Sequence, residues 1–80
     1  MEIKTALSSF SALSQQTRLD VFRLLIKAGA DGLLAGELGE QLDVRQNTMS
    51  ANLSVLLNAG LVRNERQGRT IRYFADFDAV

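Results

Sequence analysis

Eighty residues bound the chain to one domain, residues 1–80, near the lower size at which a single apolar core sustains a fold, so burial against a second copy is expected to help. Cysteine and histidine are both absent, which removes disulfides, thiolate metal sites, a thiol nucleophile and the commonest general base. Nine Lys and Arg balance nine Asp and Glu, so the chain does not coat polyanions indiscriminately, and no apolar run approaches the roughly 20 residues needed to span a bilayer. With no basic segment followed by an apolar stretch at the N-terminus, a cytoplasmic location is expected.

In chain order, Ile3, Ala6, Leu7, Phe10 and Leu13 form one stripe of a first helix, α1, ending close to Ser14. Ser14 is placed to cap a second helix, α2, from about residue 15 to the stop at Gly29. Its residues Leu19, Val21, Phe22, Leu24, Leu25 and Ile26 are apolar around most of the circumference, as in a buried central element. Ala28 to Gly32 reads as a loop, and Leu33-Leu34 as a very short strand, β1.

A third helix, α3, follows over about residues 35–42 and buries Leu38 and Leu42. Gly39 within it weakens the helix by about 1 kcal/mol relative to alanine, which predicts close approach of the next helix. Asp43 stands at the reversal, where a left-handed backbone is expected. A longer helix, α4, runs on to about Asn58 with Met49, Leu53, Leu56 and Leu57 at i, i+4, i+7 and i+8. Val62–Gln67 and Thr70–Ala75 then read as strands β2 and β3 of a hairpin turning at Gly68-Arg69. Ile71 and Tyr73 share one face of β3, and Thr70 and Arg72 the other. Asp76 is placed to cap a last helix from Phe77.

The other face of α4 holds Gln46, Asn47, Ser50, Ala51, Asn52 and Ser54. Amides pair bidentately with adenine in the major groove, hydroxyls reach phosphates or bases, and small residues let a helix sit deep. The charge is partitioned to match. Asp31, Glu37, Glu40 and Asp43 make one stretch wholly acidic, whereas Val44 to Ala75 carries Arg45, Arg63, Arg66, Arg69 and Arg72 against Glu65 alone. The pattern predicts a mainly α fold with a small β-hairpin: a helix-turn-helix with a wing. Gln46, Asn47, Ser50, Ala51 and Asn52 are assigned to the major groove, and Arg45 and Thr48 to the groove edge or phosphates. Arg66 and Arg69 at the wing tip are assigned to phosphate or minor groove. Asn47 is open to a second role as a helix cap, Ser50 to one as a solvated position, and Arg63 and Arg72 to salt bridges, for example with Glu65.

Three segments in order, FSALSQQTRLDVFRLL at Phe10 to Leu25, NTMSANLSVLLNAGLV at Asn47 to Val62 and the wing RNERQGRTIRYFA, resemble the ArsR/SmtB family of winged-helix repressors over nearly the whole chain. The resemblance implies the order α1-α2-β1-α3-α4-β2-β3, with a final dimerisation helix truncated or missing here. It implies a homodimer that binds a double-stranded DNA operator with two-fold character and represses transcription until an effector, often a metal ion, releases it. In metal-sensing members two cysteines open the third helix; Leu34 and Gly36 stand at those places and bind no metal. A second family site uses histidines and carboxylates of the last helix, where Asp76 and Asp78 alone are a weak set. Ala51-Asn52 replaces a common histidine-containing pair of the recognition helix, so the DNA sequence read is expected to differ.

The chain therefore carries no expected metal or cofactor, and its effector is not identified. Nor is it expected to be an enzyme: its nearest carboxylate pair, Glu37 and Glu40, opens a helix and complements the dipole. The competing function is a winged helix used only for dimerisation or protein contact, like the N-terminal domains of some small-molecule methyltransferases. The basic wing beside a polar helix face separates the two.

Overall fold

The computed structural model describes residues 15–76. The expected α1, the Ser14 cap and the helix from Phe77 lie outside them. Helix α2 spans Gln16–Ala28, with Gln15 at the N-cap making no side-chain cap bond. Val21, Phe22 and Leu25 form its buried face, while Ile26, on the flank beyond Phe22, is 42% exposed. This helix is therefore buried along one side and not all round. Gly29 ends it at φ 59°, donating its N–H to the carbonyls of Ile26 and Leu25, and a single 3-10 turn follows over Gly29–Asp31.

Strand β1 is Leu33–Leu34, and α3 is Ala35–Leu42. The start of α3 has half of a capping box: Glu37 Oε1 accepts the Leu34 N–H at 2.8 Å, and leucine has no acceptor with which to reciprocate. At its end Val44 N–H donates to the Gly39 carbonyl at 2.9 Å and Asp43 N–H to Glu40 at 3.4 Å, a Schellman motif with Asp43 left-handed at φ 54°, ψ 50°. Gly39 is required by this turn and not by the next helix. A Cβ there would stand 2.9 Å from the Val44 carbonyl oxygen, because the chain folds back directly over it.

Helix α4, Gln46–Asn58, ends in a second Schellman motif: Leu61 N–H to Leu56 and Gly60 N–H to Leu57, each at 3.0 Å, with Gly60 at φ 75°. Strands β2, Val62–Gln67, and β3, Thr70–Ala75, pair antiparallel from Val62↔Ala75 out to Gln67↔Thr70. Gly68 has φ 65°, and Arg69 is not among the positive-φ residues, the pattern of a type II′ turn whose twist matches that of the strands. β1 pairs with β3 on its other edge, Leu33↔Tyr73 and Leu34↔Arg72, giving the sheet order β1-β3-β2.

The core joins Val21, Phe22 and Leu25 of α2, Leu38 of α3, and Met49, Leu53 and Leu56 of α4. Leu61, Val62 and Ala75 close it from the base of the hairpin. It fixes one side of α4 against α2, α3 and β2 and leaves the outer part of the hairpin to project. No helix among the described residues is long and apolar enough to cross a membrane.

Candidate nucleic-acid interface

Helix α4 begins at Gln46 because Arg45 is extended, at φ −65° and ψ 152°, while its carbonyl already accepts the Met49 N–H at 2.8 Å. An arginine side chain has no acceptor for the first-turn N–H groups. Asn47 supplies one from within the turn, its Oδ1 accepting the Thr48 N–H at 2.9 Å. Asn47 is thus not the N-cap residue, and its amide nitrogen donates to no group among the described residues. Met49 and Leu56 are fully buried and Leu53 is 1% exposed, which orients the helix. Gln46, Asn47, Thr48, Ser50, Ala51 and Ser54 lie exposed on the remaining surface, as the sequence predicted.

Asn52 is the correction. It is only 7% exposed, and its Oδ1 accepts a hydrogen bond from Arg18 Nε of α2 at 3.0 Å. An advance of about 100° per residue carries position 52 past the exposed face and onto the flank beside Met49 and Leu56. The amide is tolerated there because a charged donor satisfies it; no buried side-chain nitrogen or oxygen among the described residues lacks a partner. Arg18, at sequence distance 34 from its partner, was missed in the sequence. The available signal was weak: Arg18 is one of several charged residues of α2, with Asp20, Arg23 and Lys27, and nothing in the sequence marks it as the one that meets Asn52.

The wing sorts its arginines by face. Directly opposed residues of an antiparallel pair share a face, so Arg63, Glu65 and Gln67 lie with Phe74, Arg72 and Thr70. On this face Arg63 sits 4.4 Å from the Phe74 ring centroid and 3.3 Å from Glu65 Oε1. Arg72 donates from Nε to Gln67 Oε1 and from Nη1 to the Asp31 carbonyl, each at 3.1 Å, and stands 3.9 Å from Glu37 Oε1. The salt-bridge reading of Arg63 and Arg72 therefore holds. Asn64 and Arg66 share the other face with Tyr73 and Ile71, and Arg69 occupies the turn. Among the described residues the side chains of Arg66 and Arg69 make no ion pair or hydrogen bond, and both are exposed.

A cleft of about 580 Å³ separates α4 from the wing. Gln46 and Ser50 form one wall, Arg69, Thr70, Ile71 and Tyr73 another, and the acidic start of α3, with Glu37 and Glu40, the third. The wing tip thus flanks the exposed face of α4. Leu34 and Gly36 also line this cleft. Among the described residues no three His, Cys, Asp or Glu come together as a metal-binding group.

A two-helix unit with a short turn, an exposed polar second helix and a basic hairpin beside it define the winged helix-turn-helix class. A family model described as a helix-turn-helix domain matches residues 13–65. The HTH-type transcriptional regulator YbzH of Bacillus subtilis (strain 168) is 30% identical over 83 residues, covering 89% of this chain and 83% of that protein. The structure of an ArsR-like transcriptional regulator from Rhodococcus sp. RHA1 superposes with a TM-score of 0.82 at 32% identity, covering 95% of this chain and 69% of that one. The transcriptional repressor BigR from Xylella fastidiosa gives 0.80 at 28% identity, over 92% and 74% of the two chains. The chain belongs to the ArsR family of winged helix-turn-helix transcriptional regulators.

Proposed function

We propose that the chain is a homodimeric repressor that binds a two-fold symmetric operator in the cytoplasm and is released by an effector. Gln46, Asn47, Ser50 and Ala51 read the major groove; Arg45, Thr48, Arg66 and Arg69 hold phosphates or the minor groove. The observation that carries this reading is the cleft that sets Gln46 and Ser50 of the exposed polar helix face opposite Arg69 of the wing tip, where Arg66 and Arg69 have no hydrogen-bond or ion-pair partner among the described residues. An arginine kept free of carboxylates suits an anionic partner, and a wing used only for protein contact has no need of it. The repressor role is supported by likeness to BigR, and dimerisation by the small core of so short a chain.

Selection of bound sequences from a random DNA pool, followed by titration of the selected site against salt, tests the proposal. Three arginines per protomer, Arg45, Arg66 and Arg69, neutralise six phosphates in a dimer, so log affinity should fall against log salt with a slope of about −5. The selected site should be an inverted repeat. Absence of binding to any DNA at low salt would instead identify a protein-interaction module.

A further inference from the structure

We propose that Arg18 is a further phosphate-binding residue of the DNA interface, held in position by Asn52. The inference rests on the DNA-binding reading above. Arg18 lies in the first turn of α2, and its Nε donates to Asn52 Oδ1 at 3.0 Å in a part-buried contact. Asn52 is neutral, so this bond fixes the guanidinium without neutralising it. Among the described residues Arg18 makes no ion pair, whereas Arg63 and Arg72, the other arginines with side-chain hydrogen bonds, face Glu65 and Glu37.

A half-buried guanidinium held by an amide and lacking a carboxylate is a site prepared for an external anion. Its planar fork has five N–H donors; one is used by Asn52, and the terminal amino groups suit two phosphate oxygens. The location agrees. Asn52 and Thr48 are i, i+4 neighbours on one flank of α4, and Thr48 is exposed at the border of the reading face. Arg69 of the wing stands beyond the opposite flank, across the cleft lined by Gln46 and Ser50. Arg18 and the wing thus bracket the reading helix, one cation on each side of the groove it enters.

Counting Arg18 raises the phosphates neutralised by a dimer from six to eight and the expected salt slope from about −5 to about −7. Arg18→Gln should flatten that slope by about 1.8, weaken operator and unrelated DNA by the same factor, and abolish the effect of ethylating one phosphate per half-site. Asn52→Asp places a carboxylate against Arg18 with little change of shape, so it should flatten the slope equally even if Arg18→Gln fails to fold. Thermal denaturation of each variant separates folding from binding. Slopes and ethylation patterns unchanged in the folded variants, with only the midpoint shifted, would overturn the inference and leave Arg18 a structural residue. If the unaltered protein binds no DNA, the proposed function fails first; if binding depends on Arg66 and Arg69 but not on Arg18, this inference alone fails.

Discussion

The two faces of the wing use the same residue type in opposite ways. On one, Arg63 and Arg72 are engaged by Phe74, Glu65, Gln67, Glu37 and the Asp31 carbonyl; at the other face and the tip, Arg66 and Arg69 touch no acceptor among the described residues. A basic hairpin is therefore not a uniform binding surface. Arg63 is engaged within the hairpin and Arg72 ties the hairpin to the body, whereas Arg66 and Arg69 are left unengaged among the described residues.

Four variants can break or sharpen that contrast. The largest effect is expected at Gly32, against the engaged face. At φ 60° and ψ −173° its backbone is one that only glycine adopts readily, and a Cβ would meet the Tyr73 oxygen and the Phe74 ring at 2.6 Å. Gly32→Ala should cost on the order of 3 kcal/mol in chemical denaturation, from backbone strain and overpacking together. Next, the double change Arg66→Ala and Arg69→Ala should leave stability within about 0.5 kcal/mol. In fluorescence anisotropy titrations it should weaken DNA binding on the order of 100-fold and flatten the salt slope by about 3.6. The reverse outcome, lost stability with DNA binding retained, would erase the distinction between the faces.

Arg72→Ala should behave oppositely to that double change. Its side chain is 28% exposed and serves three acceptors, so about 1 to 2 kcal/mol of stability should be lost, measured by urea titration, with DNA binding of the folded fraction nearly unchanged. The smallest effect belongs to Glu65→Ala. Its ion pair with Arg63 is more than half exposed on both sides, so solvent screening should hold the change to about 0.5 kcal/mol or less.

Elements with a local cause were legible in the sequence. The strand pair around Gly68-Arg69, the two-residue β1, the left-handed Asp43 and the end of α4 before Gly60 all follow from turn chemistry and apolar period. Relations between distant elements were not. Gly39 signalled a close approach, but the sequence did not show that the approaching group is the Val44 carbonyl. Asn52 looked like its polar neighbours because composition groups residues by chemistry, whereas burial depends on angle around the helix and on a donor in α2. The division of the wing arginines lay between these cases: Arg63 and Glu65 alternate on one strand, but the partners of Arg72 come from β2, α3 and the turn before β1.

That last convergence has a consequence for shape. One guanidinium ties the hairpin to the turn ending at Asp31 and to the start of α3, while β1 grips β3 at Leu33 and Leu34. The wing is consequently a fixed jaw and not a flap. On the DNA-binding reading proposed above, a reader with a fixed jaw works as a caliper: the distance between α4 and the wing tip is set in the protein, so the duplex would do the bending. Sequences whose steps deform easily to that spacing should be favoured even at base pairs that no side chain touches.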